Sequence, residues 1–167
     1  RAIQTIDDLQ MLPILTKDHV REHLSTLVTT DPRVKSTEAR TGGSTGRPII
    51  FRMTYRDEQL AWAHMYMGWS WAGYRIGDPF LIVGGESVGI GLGDKRTLAD
   101  KVMNRGVTSG SNLSLERTRA LTQTPHFHKI RLIYGYPNSI KELCEYLEHL
   151  GTRPTALQGV ICTAEVM

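Results

Sequence analysis

Hydrophobic positions along the chain fall into two rhythms. Short runs of β-branched and aromatic residues predict strands at Ile49-Ile50-Phe51-Arg52-Met53-Thr54, Phe80-Leu81-Ile82-Val83, Ile130-Arg131-Leu132-Ile133-Tyr134 and residues 156–163. Elsewhere apolar residues recur at helical spacing. A short helical start is predicted around Thr5-Ile6-Asp7-Asp8-Leu9, then an amphipathic helix of roughly three turns carrying Val20, Leu24, Leu27 and Val28. Thr16 is its N-cap and Asp18 sits in its first turn. Thr54-x-x-Asp57 is a capping box opening a helix whose core-facing stripe is Leu60, His64, Met67 and Trp71, and which Gly73 ends. Leu98 to Met103 reads as a helical turn, and Ser114 caps a helix with Leu115 and Leu121 that ends near Pro125. A second capping box, Ser139-x-x-Glu142, opens a helix with the stripe Ile140, Leu143, Cys144, Leu147 and Leu150, stopped by Gly151.

After residue 80, strands and helices alternate. That order predicts an α/β fold: a largely parallel sheet with flanking helices and right-handed crossovers. Gly84-Gly85 follows a strand at its carboxyl end, where open α/β sheets take their ligands. Residues 29–39 are polar and aperiodic and read as an approach loop. Residues 88–112 are the least regular and read as a glycine-rich binding loop, flap or interface. Gly89-x-Gly91-x-Gly93 has the wrong spacing and context for a dinucleotide fingerprint.

The approach loop leads to the stretch with the clearest chemistry, Arg40-Thr41-Gly42-Gly43-Ser44-Thr45-Gly46-Arg47-Pro48. Its glycines leave amide N–H groups uncovered and able to form an anion-binding concavity. Thr41, Ser44 and Thr45 add hydroxyl donors, and Arg40 and Arg47 add positive charge. The common triphosphatase loop needs four residues between its glycines and then Gly-Lys-Ser/Thr opening a helix. Here three residues separate Gly42 from Gly46, Arg47-Pro48 follows, and a strand comes next.

Thr-Gly-Gly-Ser-Thr-Gly-Arg-Pro resembles the phosphate-binding motif of the adenylate-forming (acyl-CoA synthetase and ligase) superfamily. Ile49 stands where the family commonly has lysine, a departure shared with the phenylacetate–CoA ligase and capsular-polysaccharide (CapK-like) branch. The segment Leu-Pro-Ile-Leu-Thr-Lys-Asp at 12–18, Tyr134-Gly135-Tyr136-Pro137-Asn138-Ser139-Ile140, and Ile161-Cys162-Thr163-Ala164-Glu165 are similar to further elements of that branch, in the same order. The resemblance implies part of a large amino-terminal adenylation domain: residues 1–40 as helical lead-in, 41–54 as phosphate loop and strand, and 55–167 as α/β subdomain. It implies ATP with Mg²⁺, a small-molecule carboxylate substrate, and coenzyme A or another acceptor. Thr41, Gly42, Gly43, Ser44, Thr45, Gly46 and Arg47 would hold the ATP phosphates. Thr163, Ala164 and Glu165 would sit near the nucleotide, and Tyr136, Pro137, Gly84 and Gly85 would shape the substrate pocket. The family's downstream Tyr-Gly-x-Thr-Glu element, ribose-binding aspartate and catalytic lysine have no counterpart, so no catalytic residue is assigned and the isolated chain is expected to be inactive.

Composition narrows the classes further. The chain is 40% hydrophobic and 22% charged, with a dispersed formal charge of +3 and no dense basic stripe for nucleic acid. No apolar run approaches the roughly 18 residues of a membrane span, so a cytoplasmic protein is expected. Cys144 and Cys162 are too few and too far apart for a zinc knuckle and read as buried thiols. His19 with His23, and His126-x-His128, lack further ligands for a metal site. The start at Arg1 and the stop just after an apolar strand read as the ends of a piece of a longer polypeptide. Two other readings stand beside the ligase. One is a catalytically incomplete remnant serving as a phosphate-ligand or protein-interaction module, with self-association through its exposed surface. The other is a phosphotransferase with Glu86 or Asp94 as the metal-binding acid.

Overall fold

The computed structural model describes residues 4–41, 48–84 and 96–164. Two compact units divide at Glu58 and Gln59. The first begins with a 3₁₀ turn, Ile6–Met11, in which the Asp8 carboxylate accepts from the Thr5 N–H at 2.8 Å. Helix α1 (Lys17–Glu22) follows, capped by the Thr16 hydroxyl on the His19 N–H, and then α2 (Leu24–Leu27). The expected single helix is thus broken at His23, whose ψ of 21° departs from helical geometry.

Strand β1 (Ser36–Arg40) pairs antiparallel with β2 (Ile50–Thr54), Arg40 opposite Ile50. The approach-loop reading of residues 29–39 is corrected at this point. Ser-Thr-Glu-Ala-Arg has too little apolar character to announce a strand, and its backbone pairing with β2 makes it one. The glycine-rich segment therefore joins the two strands of a hairpin.

The Thr54 and Asp57 capping box opens α3 (Tyr55–Ser70) as expected. The Thr54 hydroxyl donates to the carboxylate at 2.6 Å, and the Asp57 N–H donates to that hydroxyl at 3.1 Å. In the second unit, β3 (Phe80–Gly84), β4 (Arg105–Ser109), β5 (Leu132–Gly135) and β6 (Gly159–Cys162) form a parallel sheet in the order β4-β3-β5-β6. Helices α4 (Leu98–Val102), α5 (Leu115–Thr122) and α6 (Pro137–His149) connect them. Residues 105–109 fall in the stretch that sequence reading left irregular. With Val107 as its one large apolar residue, β4 gains its strand identity from pairing with β3.

Every residue of β3 is buried, as befits a central strand covered on both faces. Phe80 and Ile82 face one way, packing with Trp69, Tyr74, Val107 and Leu132. Leu81 and Val83 face the other way, with Leu121, Phe127, Ile133, Ile140, Leu143 and Leu147 of the α5–α6 side. The aromatic face is built around Trp69, whose ring lies 5.0 Å from Phe80 and 5.1 Å from Tyr134, centroid to centroid.

That face corrects the expected orientation of α3. Trp62, Met65, Tyr66 and Trp69 pack on the sheet, while Leu60, His64, Met67 and Trp71 are exposed. Both stripes have helical spacing, and the aromatic one buries more apolar surface. The start of α6 also differs. Pro137 occupies the first helical turn after Tyr136, and the Ile140 N–H reaches the Tyr136 carbonyl at 2.9 Å. Glu142 is therefore no capping-box acid for Ser139 and accepts instead from the Tyr146 hydroxyl at 3.0 Å. Cys144, expected in the core, is exposed, and Cys162 is half-buried.

Candidate functional site

Strand order decides where a ligand fits the second unit. The chain leaves β3 toward β4 on one side and leaves β5 toward β6 on the other, so a crevice opens at the carboxyl ends of β3 and β5. Backbone hydrogen bonds gather the sequence-predicted residues there. The Tyr136 N–H donates to the Val83 carbonyl at 3.3 Å, the Thr163 N–H to the Gly135 carbonyl at 3.0 Å, and the Gly110 N–H to the Gly84 carbonyl at 2.7 Å. Gly84, Tyr136, Pro137, Thr163 and Ala164 thus share one edge of the sheet. Tyr136, Pro137 and Thr163 are half-buried, and Ala164 is exposed.

Two backbone features mark this edge as constrained. A Cβ on Gly135 would collide with the Val83 carbonyl oxygen, so only glycine lets β5 lie this close to β3. Ala164 has φ of 66°, a left-handed conformation costing an alanine on the order of 1 kcal/mol.

Sequence reading missed Ser109, Gly110, Ser111 and Ser139. Ser109 is buried with its hydroxyl 3.1 Å from that of Ser111, and a Cβ on Gly110 would come within 2.8 Å of the Ser139 Cβ. The Ser-Gly-Ser triplet was visible, but without β4 nothing placed it at a strand end. The N-terminus of α6 adds partial positive charge. Among the described residues 84, 108–112, 135–139 and 163–164 there is no carboxylate, lysine, arginine or histidine. This edge can orient a ligand through amides and hydroxyls, with no proton-transfer group of its own.

In the first unit, Thr41 closes the hairpin. Its N–H donates to the Ile49 carbonyl at 3.0 Å, and its hydroxyl oxygen accepts from the Ile49 N–H at 2.9 Å. Arg40, expected to lend charge to the loop, is engaged by Glu38 of its own strand at 2.9 Å. Gly42, Gly43, Ser44, Thr45, Gly46, Arg47, Gly85 and Glu165 lie outside the described residues, as do Glu86 and Asp94.

The titratable groups with shifted pKa in the second unit sit elsewhere. Burial would raise the Asp100 carboxyl, but the Thr97 hydroxyl and N–H and the Arg105 guanidinium outweigh it and hold the pKa below 3.8. His126 is pushed below its usual value by burial, with Nε2 3.3 Å from the Phe80 carbonyl oxygen. Arg105 and Phe80 begin their strands, so these groups serve the edge opposite the ligand crevice and act in the fold. Burial and Tyr66 push Tyr74 up to about 12. Among the described residues no group of three or more potential metal ligands occurs.

A concavity of about 850 Å³ also lies away from the crevice. It runs beside α6 and β6 between Cys144, Val160 and the connection from Gly151 to Leu157, which enters β6 at its amino end. Partial burial there, then Glu148 and Glu145, pushes the Cys144 thiol pKa up, away from reactivity.

No described helix is long and apolar enough to cross a membrane. No family model and no curated protein sequence matches the chain. Solved structures do. An open conformation of 2-hydroxyisobutyryl-CoA ligase in complex with 2-HIB-AMP and CoA matches at a TM-score of 0.58 and 17% identity, over 92% of this chain and 34% of that one. The same ligase in its thioesterification state, again with 2-HIB-AMP and CoA, matches at 0.57 and 19%, over 90% and 33%. The chain spans about a third of the length of these ligases. The likeness is one of fold: the α/β arrangement, with its four-stranded parallel sheet and flanking helices, matches part of an adenylate-forming ligase.

Proposed function

We propose that the chain is part of an AMP-forming carboxylate ligase of the phenylacetate–CoA ligase and CapK-like branch. One observation carries the reading: two separate motif segments, at 134–140 and 161–164, meet at the carboxyl edge of the sheet through the Thr163 N–H on the Gly135 carbonyl. In such a reaction a substrate carboxylate oxygen attacks the α-phosphorus of ATP and the bond to pyrophosphate breaks. The acyl-adenylate then passes its acyl group to an acceptor, and AMP leaves. The neighbours' complexes with 2-HIB-AMP and CoA support ATP as adenylate donor and coenzyme A as acceptor. Charge grows on the departing pyrophosphate, so prearranged N–H and hydroxyl donors lower the barrier. The Thr41 hydroxyl and residues 42–46 take that role, with Arg47 as electrostatic helper; the Thr41 N–H itself is engaged by the Ile49 carbonyl. Gly84, Gly85, Tyr136 and Pro137 shape the acyl pocket, and Thr163, Ala164 and Glu165 border the nucleotide. The described residues do not form a Mg²⁺ cage. The ion commonly travels on substrate phosphates with few protein ligands, and no step here depends on its placement. ATP and coenzyme A as substrates lead us to assign the protein to the cytoplasm.

Calorimetry with Mg·ATP and with pyrophosphate tests the reading, on the wild type and Thr45→Ala. Binding that weakens roughly tenfold on substitution supports it, as the loss of one charge-assisted hydrogen bond would predict. Absent or unchanged binding refutes it. The remnant reading draws on Val160, which is 45% exposed on the last strand of the sheet. Sedimentation showing a dimer that Val160→Glu dissociates would favour it.

A further inference from the structure

We propose that a small oxyanion of phosphate size binds in a cavity at the amino edge of the parallel sheet, between Arg96 and His126. The site lies away from the crevice and does not rest on the ligase reading. The cavity measures about 200 Å³, below the roughly 300–1,000 Å³ of pockets for drug-sized ligands, so it suits a compact group. Gly106 and Val107, near the start of β4, and Leu121 of α5 are its buried walls. Arg96, Thr124 and His126 complete the lining and are only half-buried, so solvent reaches it. A Cβ on Gly106 would come within 3.1 Å of the His126 ring, so glycine at this position keeps the space open.

Charge at this cavity has one sign. Arg96 donates through Nε to the Arg105 carbonyl at 2.9 Å and through Nη2 to the Asp100 carbonyl at 2.8 Å. These bonds fix the guanidinium against the backbone without neutralising it. They use two of its five N–H donors and leave three. The Asp100 carboxylate is committed elsewhere, accepting from the Thr97 hydroxyl at 2.7 Å and pairing with Arg105 at 2.6 Å. Among the described residues that line the cavity there is no carboxylate. His126 sits in the positive field that results. Burial lowers its pKa most, the Phe80 carbonyl 3.3 Å from Nε2 opposes that, and the charges of Arg96 and Lys129 lower it further. An anion between Arg96 and the ring cancels that repulsion and favours the imidazolium, while the planar guanidinium fork suits a tetrahedral oxyanion.

The experiment follows the His126 ring by NMR from pH 8 to pH 5, with sodium sulfate and then inorganic phosphate replacing chloride at constant ionic strength. Either anion should raise the ring's pKa by about one pH unit, the scale of one opposite charge close by, and shift the Gly106 amide. Arg96→Gln should abolish both effects. Gly106→Ala narrows the cavity without removing a charge and should weaken binding roughly tenfold. Arg153→Gln removes an equal charge from the groove beside α6 and should change neither effect. Glycerol 3-phosphate separates the sources: binding equal to that of phosphate assigns the cavity to a phosphorylated ligand, and weaker binding assigns it to the free ion. A wild-type ring whose titration ignores both sulfate and phosphate overturns the proposal, a readout that needs no variant to fold. Equal responses from wild type and Arg96→Gln overturn it as well, because they reduce the effect to general screening. Either failure leaves the ligase reading as it stands.

Discussion

Gly135 leaves no room for even a methyl group, because the Val83 carbonyl oxygen occupies the space. Gly135→Ala must push β5 away from β3 at the crevice and is expected to destabilise the chain by at least about 3 kcal/mol in urea unfolding. A variant as stable as wild type would contradict the strand spacing. The sequence showed this glycine as part of a motif, but a contact across the sheet is not legible from one strand. His126 was equally silent, since its partner is the carbonyl of distant Phe80, whereas Asp100 belongs to a local Thr97-x-x-Asp100 capping box that sequence reading passed over. Both make stability rise with pH. The unfolded chain binds a proton at His126 more readily than the buried ring does, so stability declines as pH falls below 6.5. Asp100 adds a second decline below 3.8, as its folded carboxylate is finally protonated. Unfolding measured across pH should show both steps. His126→Gln should remove the first, and a flat profile from pH 7 to pH 5 would contradict the burial argument.

At the level of elements, α3 has apolar stripes on two sides, and periodicity alone could not choose between them. Its packing makes the distinction measurable. Trp69, 2% exposed among Tyr66, Tyr74, Phe80 and Tyr134, should cost about 3–5 kcal/mol on truncation to alanine. Trp71, 83% exposed, should cost within about 0.5 kcal/mol. Equal losses would mean that the helix is rotated. Where one force dominated, the sequence was sufficient. The Thr16 cap, the Thr54 and Asp57 box, the Ser114 cap and the apolar run of β3 all formed as local chemistry requires. Strands β1 and β4 were missed because Ser-Thr-Glu-Ala-Arg and Arg-Gly-Val-Thr-Ser become strands only by pairing. At α6, a proline suited to the first turn outweighed a serine suited to the cap.

On the scale of the whole molecule, the second unit presents two different concavities. The groove of about 850 Å³ beside α6 and β6 sets Ile133, Leu147, Leu157 and Val160 beside Lys141, Glu145, Glu148 and Arg153, with Cys144 in its wall. The crevice at the carboxyl ends of β3 and β5 is lined by glycine, serine and threonine. Volume favours the first as a binding site, while topology and hydrogen-bonding capacity favour the second. The described residues of this edge carry no cation to offset the charge growing on a departing pyrophosphate, so the chain by itself should release little or no pyrophosphate in a coupled assay with carboxylate and ATP. Turnover at an ordinary enzymatic rate would require a catalytic group that this account does not assign. The candidate edge was legible as motifs in order along the sequence, but their meeting depended on the pairing of β3 with β5, which no local pattern encodes.

The most direct test of the site is an amide NMR titration of the 167-residue chain with Mg·ATP. The account predicts shift changes concentrated at Thr41 and Ile49 of the hairpin and at Gly84, Gly110, Tyr136 and Thr163 of the crevice. Changes centred on Cys144, Thr152 and Val160 of the larger groove, or none at saturating nucleotide, would contradict it.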